Sequence, residues 1–494
     1  MAAMRVPGDG AGAPGVPGPA RDARGPGPEK RAAQVARAIE GEARSRGWPT
    51  GELLGSEASL MERYQVSRAI LREAVRLVEH NQLATMRRGP NGGLILRAPE
   101  VGPAATAAAV YLEYAGTTVD NLLEARLVLE PIAAGLAARR IDDDGFTRVR
   151  ELLGLEAGLG DKALSRADAD KLHLLIAELS GNPALVLLIQ ILASLTAYYV
   201  SGVRGGSTVP ESVRAGSLAA HAAMADAVIS GDASLAERRV TRHLAGLGEW
   251  LGSQKAHRFS SGPVPAADAA AGKMAEAVAR DIRLDIAEEG WNVGVVIGSE
   301  AELVGRHQVS RAVLREAVRI LEHHSVARMR RGPGGGLVVA EPQPMASIEA
   351  MALYLDRQRI DVAALRTVLA AVQLACVGTV AARAGEPGVR AALLDARAVV
   401  SPQTPEHDLE AQSSVLHRRI CELSGNPVLV LFFDIMTAVW SRNSMAAGPE
   451  PNPALSRPVM HAHDKIVEAL LNRDAPLARH RLSRHLDAMT DWWH

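Results

Sequence analysis

The chain has 494 residues, a formal net charge of −1 and a hydrophobic content of 47%. The balanced charge of the whole chain favours no particular class of partner, and two cysteines, Cys376 and Cys421, exclude a disulfide framework. The N-terminus lacks a signal-peptide pattern, and the longest apolar run, 184–200, is shorter than the roughly 20 residues that a membrane span needs. We therefore expect a soluble, cytoplasmic protein without a membrane partner.

The sequence repeats itself. Residues 53–98 and 296–341 are closely similar at a constant offset of 243. The repeat units of solenoid proteins are roughly 20 to 50 residues long, far shorter than this offset. We therefore interpret the repeat as a whole protein that has been duplicated and fused. Breaks near residues 99–103 and 342–344 divide each half into a first module and a longer second module. In chain order we predict a disordered tail over 1–28, a first winged helix–turn–helix over 29–99, a helical sensor over 104–255, a linker over 256–270, a second winged helix–turn–helix over 271–341 and a second helical sensor over 345–494.

The first module carries a predicted helix–turn–helix. A short helix begins at Ser56, and a second begins at Ser67, a favourable N-cap residue. One face of the second helix is apolar and the other carries arginines, as a helix that enters the major groove requires. The predicted core face is Ile70, Ala74, Leu77 and Val78, repeated as Val313, Ala317, Ile320 and Leu321; the outer face is Arg68, Arg72 and Arg76, repeated as Arg311, Arg315 and Arg319 after Ser310.

A β-hairpin is predicted to follow this helix. Residues 83–88 alternate, meet a glycine-rich turn and return through 94–96, with Arg87 and Arg88 at the tip. The second half repeats the hairpin with Arg330 and Arg331. A hairpin after a helix–turn–helix is a wing, whose tip can lie along the DNA backbone or minor groove.

Local charge favours DNA as the partner of both modules. Residues 63–88 hold six arginines against two glutamates, a net of +4, and residues 306–331 hold seven against two, a net of +5. Such patches neutralise phosphates and supply much of the affinity for DNA. A solvated basic face is the alternative, and a nucleotide site is a weaker one because neither glycine-rich turn matches a phosphate-loop pattern.

These motifs resemble the winged helix–turn–helix of GntR-type transcriptional regulators. The shared pattern is a Ser-Glu pair, a short helix, Val-Ser-Arg, Leu-Arg-Glu-Ala and a glycine-containing wing. The resemblance implies DNA contacts from Ser67, Arg68 and Arg72, and from their equivalents Ser310, Arg311 and Arg315. Ala58 and Ala301 stand where the family often has an arginine, so one common contact is missing from both halves.

The second modules are predicted to be wholly helical, each with three histidines on separate helices. His173, His221 and His243 are spaced 48 and 22 apart; His417, His463 and His485 are spaced 46 and 22 apart. Three imidazoles from separate helices can converge on a divalent metal of the Zn, Ni or Mn type. The alternative is six ordinary surface or core histidines.

The surrounding sequence resembles the FCD ligand-sensing domain of the FadR-like GntR subgroup. The resemblance covers most of the chain and implies a metal held by the histidines and an aspartate four residues before the first. Ala169 and Ser413 occupy that position, although Asp168 and Asp170 flank it in the first half. We therefore expect metal in the first sensor more than in the second. The resemblance also implies that Arg126, which precedes Glu130 by one helical turn, binds the carboxylate of the effector. It implies the same role for Arg366 in the second half, where Ala370 replaces the glutamate. The alternative role of Arg126 is an i,i+4 ion pair with Glu130.

Together these features predict a mainly α protein with small β wings, a DNA-binding transcriptional regulator whose operator affinity responds to a small carboxylate. One chain would carry both halves of a dimer and read an inverted-repeat operator, as a repressor more readily than an activator. Further self-association stays open. The alternatives are a metal-dependent hydrolase-like enzyme, which the two DNA-binding modules argue against, and a ligand-independent architectural DNA binder.

Overall fold

The computed structural model describes residues 28–491 with several gaps. The gaps are 81–82, 88, 90–91, 98–100, 159–169, 202–210, 254–270, 331, 333, 343, 400–408 and 448–455. The predicted linker lies outside the described residues, as does the predicted tail except for Pro28. The chain divides into two units, Met1–Ala98 and Pro99–His494.

The first unit is a winged helix–turn–helix. Its three antiparallel strands have the order β1-β3-β2, so the predicted hairpin gains a third strand that the sequence did not reveal. Ser56 caps α2 by accepting a hydrogen bond from the backbone N–H of Ser59, and Gln65 ends the helix in the left-handed region. The elements are α1 (Pro28–Ser45), β1 (Leu53–Gly55), α2 (Glu57–Tyr64), α3 (Arg68–His80), β2 (Ala84–Arg87) and β3 (Gly93–Leu96).

Glycine is required where β1 pairs with β3 of the hairpin. A Cβ on Gly93 would lie 2.3 Å from the carbonyl oxygen of Gly55, and Gly336 would meet Gly298 at 2.5 Å. Both glycines have φ above 150°, which L side chains rarely adopt. The glycine-rich turns therefore allow the first strand to pair closely with the wing.

The recognition helices bury a face slightly rotated from the predicted one. Ala74 and Val78 are buried as expected, but Leu71 and Val75 are buried where Ile70 and Leu77 are only half-buried. The second half shows the same change, with Leu314 and Val318 buried and Val313 and Ile320 half-buried. Helix α3 packs against both α1 and β2, and this pair of neighbours moves the centre of the buried arc by one residue.

The second unit begins with the first helical sensor. Asn182 caps a helix through Oδ1, which accepts from the backbone N–H of Ala184, and Asp232 caps the last helix by accepting from the backbone N–H of Leu235. Its helices are α4 (Val101–Tyr114), α5 (Val119–Arg140), α6 (Asp143–Gly158), α7 (Lys171–Leu179), α8 (Pro183–Ser201), α9 (Glu211–Ile229) and α10 (Ala233–Ser253).

The same unit contains the second winged helix–turn–helix and the second sensor. Strand order β4-β6-β5 and the serine N-cap, here Ser299, repeat the design of the first unit, and Glu302 completes a capping box with Ser299. The predicted fold class, mainly α with small β wings, is confirmed. The elements are α11 (Ala271–Glu288), β4 (Val296–Gly298), α12 (Glu300–His307), α13 (Arg311–His323), β5 (Ala327–Arg330) and β6 (Gly336–Val339), followed by α14 (Pro344–Arg357), α15 (Val362–Arg383), α16 (Pro387–Val399), α17 (Leu409–Leu423), α18 (Pro427–Ala447), α19 (Ser456–Leu471) and α20 (Ala475–Asp491).

Helix α4 packs on the second winged helix–turn–helix, although it precedes the first sensor in sequence. Val110 is 1% exposed and belongs to the core of that winged domain. The Tyr114 ring lies 5.7 Å from the Trp291 ring, edge to face, and Glu113 pairs with Arg283 at 3.1 Å. The first sensor is therefore joined to the second winged domain by packing as well as by sequence.

The two sensors contact each other through equivalent asparagines. The Asn182 side-chain amide donates to the carbonyl of Ala364 at 3.0 Å, and Asn426 donates to the carbonyl of Asn121 at 3.0 Å. Each asparagine caps its own helix with the other end of the same side chain. In the described part of the chain, Asn426 but not Asn182 also donates to a carboxylate, that of Glu124, at 2.8 Å. The contact is thus nearly two-fold, with one added polar bond.

Substitution of these asparagines tests the contact. We expect Asn182→Ala to lower the free energy of unfolding of the sensors by about 1–3 kcal/mol, because it removes a helix cap and a buried hydrogen bond. Asn426→Ala should cost roughly 1 kcal/mol more, because its amide also binds a carboxylate. Urea unfolding midpoints of the two variants measure the difference. Equal midpoints would contradict the added role of Glu124.

One described helix is long and apolar enough to cross a membrane by length and composition. Within helix α15, Val362–Arg383, an 18-residue stretch has a mean hydropathy of 1.7. Val368, Val372, Cys376 and Val380 on this helix are fully buried in the core that the two sensors form. A core helix of this kind passes the same test, and the packing of α15 against neighbouring helices accounts for its composition.

Candidate DNA interface and sensor sites

The recognition helices present their arginines to solvent at matched positions. On α3 the side chains of Arg68, Arg72 and Arg76 are 64%, 65% and 75% exposed. On α13 Arg311, Arg315 and Arg319 are likewise exposed. Ser310 caps α13 through the backbone N–H of Val313, and the hydroxyl of Ser67 accepts from Ile70 at 3.4 Å. The arrangement gives each half an exposed guanidinium row that begins at a helix N-terminus.

A glutamate on the preceding helix holds these arginines. Glu57 lies 3.0 Å from Arg72 and 3.4 Å from Arg68, and Glu300 lies 3.0 Å from Arg315. Exposed ion pairs of this kind contribute roughly 0–1 kcal/mol, so phosphate or a base can displace the carboxylate at small cost. The Ser-Glu pair therefore has two functions: its serine caps the helix and its glutamate orients the guanidinium groups.

The wings place further arginines at the hairpin ends. Arg87 ends β2 opposite Gly93, and Arg330 ends β5 opposite Gly336. Both side chains are exposed, and the Arg330 guanidinium donates to the carbonyl of Gly334 at 2.8 Å. Arg88 and Arg331, which the sequence also predicted at the tips, lie outside the described residues.

The first sensor brings its three predicted histidines together. His173 on α7, His221 on α9 and His243 on α10 have ring centroids 4.9–5.4 Å apart. One nitrogen of each lies within 4.8 Å of the others. Burial, together with the neighbouring imidazoles, lowers the pKa of His243 to about 3. A neutral imidazole is the form that binds a metal.

Two buried glutamates fix the outer nitrogens of this cluster. Glu130 lies 2.5 Å from Nδ1 of His173, and Glu156 lies 3.2 Å from Nδ1 of His221. An ionised carboxylate only accepts hydrogen bonds, so the Nδ1 of each ring donates to its glutamate and Nε2 is the nitrogen left to face a metal. Carboxylates in this position orient metal-binding histidines. Glu156 was not predicted, because α6 and α9 are brought together only by tertiary packing.

Arg126 is fully buried beside this cluster. It pairs with Glu130 and lies 3.3 Å from Asp170. Burial alone would raise the pKa of Glu130, but the charges of Arg126 and His173 outweigh it and hold that pKa at about 2. The alternative role of Arg126, an i,i+4 ion pair, is therefore realised. Asp170 contacts Arg126, and Asp168 lies outside the described residues.

The second sensor also brings its histidines together, and their Nε2 atoms face one another. Nε2 of His485 lies 3.2 Å from Nε2 of His417 and 3.1 Å from Nε2 of His463. Burial lowers the pKa of His463 to about 3 and of His485 to about 4, so these rings are neutral at pH 7. Tetrahedral Zn²⁺ with bonds of about 2.0–2.1 Å sets its nitrogens roughly 3.3 Å apart, close to this spacing. The donor atoms therefore fit a metal in this sensor too.

The supporting residues differ between the sensors, and here the sequence alignment was wrong. Helices α5 and α15 correspond at a constant offset of 243, which places Leu369 opposite Arg126 and Gln373 opposite Glu130. The sequence interpretation paired Arg366 and Ala370 with them, three residues out of register, because the loss of the buried arginine left Arg366 as the nearest landmark. Among the described residues, no hydrogen-bond partner meets Nδ1 of His417.

Arg366 instead lies on the rim of a cavity in the second sensor. Its guanidinium pairs with Asp487 at 3.0 Å, and both side chains are largely exposed. The cavity lies beside two of the histidines, His417 and His485, and Gln373 also lines it. The residue predicted to bind an effector thus faces a cavity, although it is not the structural equivalent of Arg126.

The fold and these sites define a class of protein: two winged helix–turn–helix domains and two helical domains with buried histidine clusters. A family model, the FCD domain, matches residues 121–246 and 364–488, which is just over half of the chain. The chain belongs to the GntR-type transcriptional regulators that carry this domain. The two matches are consistent with a tandem duplication.

Several relatives are similar to parts of the chain. The Uxu operon regulator of Haemophilus influenzae is 30% identical over 140 residues, 28% of this chain and 49% of that protein, so the match spans about half of the relative's length. The uncharacterized HTH-type transcriptional regulator YcbG of Bacillus subtilis is 27% identical over 194 residues, 39% of this chain and 78% of that protein. The solved Streptococcus agalactiae GntR structure is 22% identical with a TM-score of 0.33 and covers 44% of this chain and 99% of its own.

Proposed function

We propose that this protein is a DNA-binding transcriptional regulator that reads an inverted-repeat operator with both halves of one chain. The observation that carries this proposal is the repeated row of exposed arginines on α3 and α13, each beginning at a serine-capped helix N-terminus. Residues at the N-terminal end of a recognition helix reach base edges in the major groove. We expect the protein to act in the cytoplasm, where its DNA target is, and to be a regulator and not an enzyme.

Fusion of the two halves favours binding to paired half-sites. The recognition helices differ only by Ile70 against Val313 over residues 67–76 and 310–319, so we expect nearly identical half-sites. Once one winged domain is bound, the other meets DNA at an effective concentration on the order of millimolar. The near two-fold contact between the sensors supports an inverted arrangement of the half-sites.

The helical sensors are proposed to hold a divalent metal and a small carboxylate effector. In the first sensor His173, His221 and His243 would be the ligands, with Glu130 and Glu156 orienting the rings; in the second, His417, His463 and His485 offer the same donors. When bound in the first sensor, the metal would supply a cationic anchor for the effector carboxylate. Effector binding would shift the protein between states of different operator affinity, with release of repression as the expected result.

Selection from a random-sequence DNA pool tests the regulator. The full chain is expected to enrich an inverted repeat whose half-sites are alike, with a specificity ratio of at least about 10³ over random duplex. Deletion of one half-site should weaken binding at least tenfold. Enrichment of no sequence, combined with a steep salt dependence, would instead support an architectural DNA binder.

Metal content tests the sensor assignment. Protein purified without a histidine tag is expected to hold up to two metals per chain, with the first sensor binding more tightly because its imidazoles are oriented by carboxylates. Glu156→Gln should weaken the first site about 10- to 100-fold and leave the second unchanged, as competition with a chromogenic chelator would show. A first site unaffected by this change would contradict the role of Glu156.

A further inference from the structure

The second sensor contains a cavity with room for a small molecule. Its volume is about 90 Å³, whereas a single water needs roughly 10–15 Å³ on the same measure. Four helices of this sensor enclose it, α15, α17, α18 and α20. Its wall is mainly apolar, and includes Leu369, Phe433, Trp440 and Met489. Cavities of this kind, apolar with a few polar groups, are typical of small-molecule sites.

One buried polar group in the cavity wall lacks a protein partner. Gln373 is 3% exposed, and among the described residues no donor meets its Oε1 atom. A buried acceptor left without a hydrogen bond costs about 1–3 kcal/mol. Because Gln373 lines the cavity, a molecule there that carries an N–H or O–H group can supply the missing donor.

The cavity wall differs from the first sensor at the positions that define it. The buried ion pair of the first sensor, Arg126 and Glu130, is replaced by two neutral residues, Leu369 and Gln373. Aromatic side chains have also been gained on α18, which aligns with α8 at an offset of 244 from their shared Asn-Pro start. On α18, Phe433 replaces Ile189 and Trp440 replaces Thr196. On α15, Arg366 replaces Leu123.

The rim of the cavity offers one exchangeable cation. The ion pair between Arg366 and Asp487 is 3.0 Å long, and its side chains are 41% and 55% exposed. An exposed pair contributes little to stability, so the guanidinium can bind a ligand carboxylate in place of the aspartate at small cost. Arginine binds carboxylates in a two-pronged geometry that also fixes their orientation.

From these observations we infer that the second sensor binds a carboxylate with an aromatic body and a hydrogen-bond donor, a ligand class that the first sensor does not share. The aromatic body lies against Phe433 and Trp440, the donor meets Gln373, and the carboxylate meets Arg366. This inference deepens the proposed function, since it names the effector of one sensor, and it rests on that function for any effect on DNA. The duplication has therefore given one regulator two inputs.

Calorimetric titration of the full chain with three probes tests the ligand class. Phenylacetate is expected to bind at least tenfold more tightly than acetate because its ring is buried against the aromatic wall, and 4-hydroxyphenylacetate roughly fivefold more tightly again. Gln373→Leu should remove the preference for the hydroxyl group and keep phenylacetate binding. Arg366→Ala should weaken both aromatic probes at least fivefold. Val415→Leu, an exposed change on α17, is the control and should alter nothing.

A cavity-filling variant tests the location. Thr437→Leu places a larger side chain in the cavity wall, at a position where the first sensor has Ala193, and should weaken phenylacetate binding at least tenfold. If this variant fails to fold, the exposed Arg366→Ala change carries the test. Equal binding of acetate and phenylacetate, or aromatic binding unaffected by both variants, would overturn the inference. Operator binding is measured separately, so DNA binding without probe binding refutes only this inference, and probe binding without operator binding refutes only the proposed function.

Discussion

Changing Arg68 and Arg311 to alanine in the same chain is expected to weaken specific operator binding by at least about 25-fold. A good bidentate contact between arginine and guanine contributes about 1–3 kcal/mol, and each tenfold change in affinity corresponds to about 1.4 kcal/mol. The two residues lie on separate recognition helices, so their effects should add. Each single variant should lose between about 5- and 150-fold.

The kind of contact follows from how the loss depends on sequence and salt. If the arginine reads a base, the variant should lose affinity for the operator and little affinity for random DNA. If the arginine only binds phosphate, the variant should lose affinity for both DNAs equally, and the slope of its salt dependence should fall by about one. A variant with Arg238→Ala and Arg419→Ala changes the net charge by the same amount on the exposed surfaces of the sensors and serves as the control. Full-strength operator binding by the Arg68/Arg311 variant would refute the assignment of these helices.

The duplication explains why so much of this protein could be predicted from sequence. A single basic helix or a single set of histidines is weak evidence, but identical spacing in two halves separates functional residues from chance. Apolar periodicity located the helices, since a buried face repeats every three to four residues. Comparison of the two halves identified the recognition arginines and both sets of histidines, and the histidines of each set do converge in the structure.

The residues that sequence reasoning missed depend on contacts between distant elements. Glu156 meets His221 across 65 positions, and no local spacing connects them. Strand β1 is only three residues long and owes its pairing to the glycines of the wing. The register of α15 was misjudged because Leu369 stands where the first sensor has its buried arginine, so the Arg-x3-Glu motif used to align the helix is absent. Divergence between the halves thus hid the site that differs most in chemistry.

The largest effect on stability is expected from Glu130→Ala in the first sensor. Among the described residues, this change leaves the Arg126 guanidinium, which is 2% exposed, with Asp170 at 3.3 Å as its one remaining carboxylate, and it removes the partner of His173. Loss of one member of a buried pair costs about 3–5 kcal/mol, because the other charge remains without adequate compensation. Gln373→Ala is the matched change in the second sensor and should cost less than about 2 kcal/mol, since it removes no charge.

The pH dependence of this pair has a defined sign. The pKa of Glu130 is lowered from an ordinary value of 4.5 to about 2, so the folded state binds its proton less readily than the unfolded state. Its contribution to stability is therefore fully present above about pH 4.5 and is lost as the pH falls through about 2. When the pH is lowered from about 4.5 to about 2, the free energy of unfolding should fall less in the Glu130→Ala variant than in the wild type.

Conversion of the first sensor to the chemistry of the second provides the decisive comparison. In the double variant Arg126→Leu, Glu130→Gln, both charges are replaced by the residues found at positions 369 and 373, and no buried ion is left without its partner. Replacement of a whole buried pair by apolar or neutral groups is often neutral, so this variant should recover most of the stability that Glu130→Ala loses. Hydrogen exchange of peptides from α5 and α7 reports on the helices that carry Arg126, Glu130 and His173, which matters because several domains unfold in one chain. Equal exchange in the single and double variants would show that the carboxylate stabilises the sensor through His173 and its neighbours and not through the buried arginine.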